Sequence, residues 1–281
     1  MTRLSPNETE NVQIRSLNGE TDYSACVELQ QHVWGDEVGE IVPPAIMLVS
    51  QKIGGIAAGA FDANGELVGF VFGLTGIMDR KLVHWSHLLT VRPESRDRGI
   101  GRKLKLYQRN RLRDMGVTAL YWTFDPLEAR NAWLNLNRLG ARVIEYAPHM
   151  YGEAATAKTD VIIGTDRFVV CWDTQDHSAP TDATRPESAP VFTIGSEDSL
   201  TDTGSVQSPE IDPRILVEIP INIQLLKLED PATAVRWRET TRSALTRYLG
   251  MHYVVRCVVL DSARTRAFYL LETGGQLEVK D

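Results

Sequence analysis

The chain has 281 residues, 43% hydrophobic and 24% charged, with a formal net charge of −7, which suits one large or two modest globular domains. An acidic chain without a basic domain argues against non-specific nucleic-acid binding. No apolar run reaches the ~18 residues of a membrane span, and Met1–Glu20 lacks the apolar centre of a secretory signal, so a cytoplasmic protein is expected. Cys26, Cys171 and Cys257 lie far apart without CxxC spacing, so reduced thiols and no structural metal are expected.

Residues 12–17 alternate like a strand, and 21–33 read as an amphipathic helix. A short helix is expected from Pro43-Pro44, since proline suits a first helical turn. Two apolar runs, GIAAGAFD and ELVGFVFGLTG, meet at Asn64-Gly65, a hairpin signal because both residues tolerate positive φ. A strand is expected over 85–91, a helix over 101–115 closed by Gly116, a strand over 118–124 and a helix over 129–139 stopped by Gly140. ARVIEYA and DRFVVCWD complete this part as strands. The order describes an α/β architecture with mixed strand directions.

From 174 to 213 the composition turns to Ser, Thr, Asp, Gly and Pro, which reads as a flexible linker with one short strand at VFTIG. Beyond it come a strand at RILVEIP, a helix over 231–249, and strands at HYVVRCVVL and RAFYLLE. This strand-helix-strand-strand order repeats that of residues 118–173. Both copies have a Trp inside the helix and a Gly before the next strand, so a degenerate half-domain repeat competes with two unrelated units of common order. The expected organisation is a domain over 1–173, a linker over 174–213 and a smaller domain over 214–281. The apolar tail strands need a partner, and an acceptor-pocket wall, a sheet-edge cover and a homodimer interface all supply one.

The most informative run is VRPESRDRGIGRKL, from Val91 to Leu104. A strand that passes into a helix through Gly-x-Gly presents several backbone N–H groups at the positive end of the helix dipole, a natural anion site. Arg92, Arg96, Arg98, Arg102 and Lys103 add positive charge where a phosphate would sit. No GxxxxGK[ST] is present, and Leu104 stands where a dinucleotide fingerprint needs its third glycine. Two glycines alone also fit a tight turn flanked by solvated arginines.

The longer pattern LLTVRPESRDRGIGRKL resembles the acyl-CoA signature of the GNAT superfamily of N-acetyltransferases, whose core [Q/R]-x-x-G-x-[G/A] falls on Arg96-Asp97-Arg98-Gly99-Ile100-Gly101. The element order of residues 12–173 is similar to that superfamily. YWTFDPLEARNAWLNLNRLGARV, MYG, TDRFVVCWD and the tail segment VEIPINIQLLKLEDPATAVRWRETTRSAL resemble a longer bacterial branch of it. The resemblance implies a GNAT-like acyltransferase fold with a C-terminal extension, and acetyl-CoA, or another short acyl-CoA such as succinyl-CoA, as the acyl donor. It implies a small-molecule primary amine as acceptor; from the charge and the lack of a long apolar run, no nucleic-acid or membrane partner is expected.

Carried over by position, Leu89, Thr90 and Val91 would pair with the pantetheine arm, and the amides from Arg98 to Arg102 would hold the pyrophosphate. An N–H near Leu89 would polarise the acyl carbonyl. His87, four residues before Val91, stands where some members carry a catalytic histidine, with a histidine packed in the sheet as the bland alternative; His84 is a weaker candidate. The tyrosine acid expected four residues before Gly140 is absent, since Leu136 stands there. Tyr151 is then the replacement candidate, or a rim aromatic; departure of the thiolate without a dedicated donor, or loss of activity leaving an acyl-CoA sensor, also fits. Asn131 would help hold the pantetheine arm or simply cap its helix. Asp125-Pro126 reads as a turn, and Arg130 and Arg167 as acceptor-carboxylate ligands or surface ion-pair formers. The leading expectation is an N-acetyltransferase working by direct attack of the amine, with N-succinylation of amino acids as the alternative.

Overall fold

The computed structural model describes residues 12–35, 41–152, 163–175, 181, 183–194 and 212–274. Their contacts group into two compact units, one formed by residues up to Trp122 with a return at Asp173–Asp176, the other by residues 123–172 and the chain from His177 onward.

In the first unit, strand β1 (Gln13–Ser16) is followed by helices α1 (Gly19–Trp34) and α2 (Pro44–Lys52), then by β2 (Ile56–Phe61), β3 (Leu67–Met78) and β4 (Lys81–Val91). Helix α3 (Ile100–Asp114) leads to β5 (Ala119–Phe124). Strands β1 to β4 pair antiparallel in chain order, and β5 joins β4 in parallel, giving the mixed sheet expected. Every residue of β2 is buried, as are Leu67–Gly73 of β3. Strands buried on both faces read as continuous apolar runs, and those two runs were legible for that reason. Leu29, Met47, Phe70 and Phe72 share one core cluster, and α3 contributes Ile100, Leu104 and Leu112 as buried residues.

Strand β4 begins at Lys81, four residues before the expected start. The β3–β4 hairpin turns at Asp79 and Arg80, both at positive φ (51° and 63°). Neither is Gly or Asn, so the turn carried no ordinary sequence signal.

The second unit holds helix α4 (Ala129–Ala132), which continues as a π-helical turn over Trp133–Arg138, then β6 (Arg142–Ala147) and β7 (Arg167–Asp173). It also holds β8 (Val191–Phe192), β9 (Arg214–Ile219), α5 (Ile223–Glu229), α6 (Pro231–Gly250), β10 (Tyr253–Leu260) and β11 (Ala267–Thr273). The last strands form a sheet of order β10-β11-β9-β8, with β8 parallel to β9. Helix α5 was not expected; its N-cap Asn222 accepts from the Leu225 amide at 3.1 Å. Residues 183–194 lie in the stretch read as flexible linker, yet Ala189 and Phe192 are buried and Ala183 and Val191 pack on the same core. Polar composition around them hid a few apolar residues at the right places.

Asn137 is fully buried in the π-helical turn and takes the place of a neighbouring strand for β10. Its amide donates to the Val258 carbonyl at 2.9 Å and accepts from the Val258 N–H at 2.9 Å. Replacing Asn137 by Ala strands both groups in the core, at a cost of about 2–4 kcal/mol. A urea melt should show this loss, and a change under about 1 kcal/mol would contradict the assignment.

Candidate active site

Strand β4 is paired with β3 along its whole length, from Lys81 opposite Met78 to Val91 opposite Gly69. On its other side the parallel ladder joins only Val83–Trp85 to Ala119–Tyr121. The ladder therefore stops at Trp85, and β4 runs on through Leu89, Thr90 and Val91 beyond it. The β3–β4 register skips one residue between Phe72–Leu88 and Gly73–Ser86, which makes His87 the extra residue of a β-bulge. Bulges bend a strand and re-aim its groups. His87 is exposed, with its ring edge-on to Phe72 at 6.1 Å between centroids.

Past Val91 the chain makes a 3-10 turn at Pro93–Ser95, then passes through Asp97 (φ 64°) and Gly99 (φ 70°) into α3. Gly99 is the helix N-cap in the left-handed region, where a side chain costs backbone energy. The first backbone bond of the helix is Lys103 N–H to the Gly99 carbonyl at 3.0 Å. Ile100, Gly101 and Arg102 therefore carry first-turn N–H groups without an intrahelical acceptor, at the positive end of the dipole. Arg96 braces this turn, its Nε donating to the Val91 carbonyl at 3.2 Å, and Arg92 Nε donates to the Leu67 carbonyl at 2.9 Å. Arg102 and Lys103 are exposed on the first turn, and Arg98 is half-buried.

His84, the weaker histidine candidate, is fully buried. Thr75 Oγ1 donates to the Gly54 carbonyl at 2.6 Å, so its contact with His84 Nδ1 at 2.8 Å is donated by the ring. Nε2 then accepts from Gln108 Nε2 at 3.1 Å. Burial pushes His84 down to about 3, so the ring stays neutral. Gly73 makes room for it, because a Cβ there would meet His84 Nε2 at 2.2 Å.

Sequence reasoning missed Lys105. Leu104, Gln108 and Leu112 recur every four residues on the buried face of α3, and Lys105 sits one position from Leu104 on that face. Its Nζ is 2.7 Å from Ser86 Oγ and 4.0 Å from the centroid of the Trp122 ring. Burial holds this amine well below the usual lysine range.

Tyr151 and Asn131 belong to the second unit. The Tyr151 hydroxyl shares a hydrogen bond with Thr123 Oγ1 at 3.1 Å, and the Arg167 guanidinium lies over its ring at 5.3 Å. Asn131 is exposed in α4, and Leu136, at the position of the absent tyrosine, is buried. Asp125 pairs with the buried Arg238 at 2.7 Å, and its other oxygen accepts from the Leu127 amide. Asp166 receives Arg242 through two bonds of 2.9 and 2.8 Å, with Tyr146 and the His149 amide also donating. Burial pushes this carboxyl up, but those four donors together hold it below its ordinary value. Among the described residues no cluster of His, Cys, Asp and Glu suits a metal ion, and no helix is long and apolar enough to cross a membrane. Cys26, Cys171 and Cys257 form no disulfide among the described residues.

No family model matches the sequence, and no curated protein does. Similar solved structures include the putative acetyltransferase yncA from Salmonella typhimurium with its cofactor acetyl-CoA, 20% identical, at a TM-score of 0.46 over 62% of this chain and 99% of that one. Aminoglycoside 6'-acetyltransferase type Ii is 18% identical, with a TM-score of 0.46 over 59% of this chain and 99% of that one. A GCN5-related glucosamine N-acetyltransferase region of a fungal multi-domain GH3 β-N-acetylglucosaminidase is 18% identical at a TM-score of 0.33, over 40% of this chain and 13% of that one.

Proposed function

We propose that the chain is an acyl-CoA-dependent N-acyltransferase of GNAT type that moves an acetyl or other short acyl group to the primary amine of a small molecule. One observation carries the reading: the β4–β5 ladder ends at Trp85 while β4 continues into a turn that delivers the first-turn amides of α3. An added strand could pair with β4 from Leu89 to Val91. A pyrophosphate at its far end would meet the N–H groups of Ile100, Gly101 and Arg102, with Arg98 and the exposed Arg102 side chain supplying charge. The pantetheine arm and pyrophosphate of acetyl-CoA have that shape and spacing of charge.

The bulge at His87 lies at the start of the unpaired run, where the thioester would sit. His87 is assigned to take the proton of the incoming ammonium, since its imidazole offers a basic nitrogen exposed at the bulge. Tyr151 and Asn131 are assigned to the acid and pantetheine roles only by their positions in the sequence. Residues 214–281 are read as a half-domain repeat. Both antiparallel pairs, β6–β7 and β10–β11, carry a bulge on their first strand, at Ile144 and Arg256.

Calorimetry with CoA and a thiol-release assay with acetyl-CoA, succinyl-CoA and an amine library test the proposal together. Binding of CoA with turnover is the expected result, and the better donor decides between acetyl and succinyl transfer. Absence of CoA binding would overturn the reading, whereas binding without turnover would assign an acyl-CoA sensor. His87→Ala should keep CoA affinity and lower turnover by about 10²-fold; unchanged turnover would remove His87 from the site.

A further inference from the structure

Where β4 and β5 part, the next residues after the last ladder pair are Ser86 and Trp122, and Lys105 reaches both from below. Its Nζ has the Ser86 hydroxyl at 2.7 Å on one strand and the Trp122 ring at 4.0 Å on the other. The lysine is 2% exposed and Ser86 5% exposed. Among the described residues no carboxylate pairs with this amine. A buried amine without a counter-charge is costly as an ammonium, and a core helix position is ordinarily filled by an apolar side chain. Retaining a lysine there calls for a use of its lone pair.

We propose that Ser86 and Lys105 form a proton shuttle that carries a proton from the attacking nitrogen to the departing sulfur during acyl transfer. The inference rests on the acyltransferase reading and places the reaction at this gap. When the neutral amine attacks the thioester carbonyl, the new C–N bond leaves an extra proton on nitrogen. That proton passes to Ser86 Oγ as the Ser86 proton passes to the Lys105 lone pair. The C–S bond then breaks, and the thiolate receives a proton back along the same path, leaving amide, thiol and a neutral Lys105. One proton has moved from nitrogen to sulfur, and no external acid or base is consumed. The shuttle takes over the return of a proton to sulfur, the acid role given to Tyr151 above by sequence position alone.

The groups facing Nζ support this assignment. Strands β2 and β3 carry no ionisable residue. On β1, Arg15 is paired with Asp22 at 2.5 Å. On β4, burial keeps His84 neutral, and His87 alternates to the other face from Ser86. On β5, Tyr121 alternates to the other face from Trp122. The side chains that touch Nζ are therefore neutral, Arg109 stands one turn further along α3, and burial favours the uncharged amine. As pH falls through its folded-state value the lone pair is lost, so turnover should fall on the acid side.

The test uses the full chain with acetyl-CoA and a set of primary amines. NMR of 13Cε-labelled lysine, titrated with pH, should show one resonance, absent in Lys105→Met, that titrates well below the other lysines. Lys105→Met, which keeps the stem and removes the amine, and Ser86→Ala should each bind CoA like the parent chain and lose about 10²-fold in kcat with KM little changed. The component of the acid limb that follows the Lys105 resonance should disappear, while Ser86→Thr, which keeps the hydroxyl, should restore most of the rate. A Lys105 resonance that titrates with the other lysines, or an unchanged kcat in Ser86→Ala, would overturn the shuttle. Failure of the parent chain to bind CoA would overturn the acyltransferase reading and the shuttle with it.

Discussion

Gly99→Val should weaken CoA binding by tenfold to a hundredfold, about 1–3 kcal/mol, while Gly99→Asn should lose much less. Gly99 caps α3 at φ 70°, and no atom lies within 4 Å of where its Cβ would stand. The penalty is therefore conformational. A β-branched residue is strained in the left-handed region, whereas Asn visits it readily. If the turn relaxes to accommodate valine, the N–H groups of Ile100, Gly101 and Arg102 swing away from a common point. Calorimetric titration with CoA measures the effect, and equal losses for Val and Asn would show that backbone strain is not its source.

Arg238→Ala should destabilise the fold by about 3–5 kcal/mol. The guanidinium is 2% exposed, with Nη2 2.7 Å from Asp125 Oδ2 and Nε donating to the Ile163 carbonyl at 3.1 Å. Truncation leaves the Asp125 carboxylate, itself 11% exposed, without its counter-charge in a low-dielectric setting. Arg238→Met combined with Asp125→Asn removes both charges and keeps an oxygen for the Leu127 amide, so the double variant should lose less than Arg238→Met alone. Urea melts of the cycle measure the coupling. A cost below about 1 kcal/mol for Arg238→Ala would mean that the pair contributes little, as exposed pairs do.

These two sites were unequally legible in the sequence. The Gly-x-Gly turn was legible because an apolar strand, two glycines and a periodic helix follow one another within a few residues, although the helix begins at Ile100, one residue before the expected Gly101. The Asp125–Arg238 pair joins residues 113 positions apart. Asp125 before Pro126 carries an ordinary turn signature, and Arg238 lies in a helix with several other arginines, so neither announces its partner. Lys105 was hidden differently: on a helix rich in Lys and Arg, a charged residue reads as solvated. Asp79-Arg80 and α5 escaped because their turn and cap use residues common everywhere, and residues 183–194 because a few buried apolar side chains are diluted by Pro, Ser and Thr.

What the sequence determined by itself is the set of local choices: which runs are strands, where helices begin and end, and that a Gly-x-Gly turn bares amides at the start of α3. Those choices depend on φ preference, capping and hydrophobic period over a few residues, and such information lies within a short window of chain. Tertiary structure alone decided where the β4–β5 ladder stops, that His87 is a bulge, and that Lys105 stands with Ser86 and Trp122 under the gap. Each of these depends on register between segments distant in sequence, and a shift of one residue would turn every side chain to the opposite face. The turn that bares the α3 amides was therefore readable from the chain, while the bulge at His87 and the burial of Lys105 beside Ser86 were not.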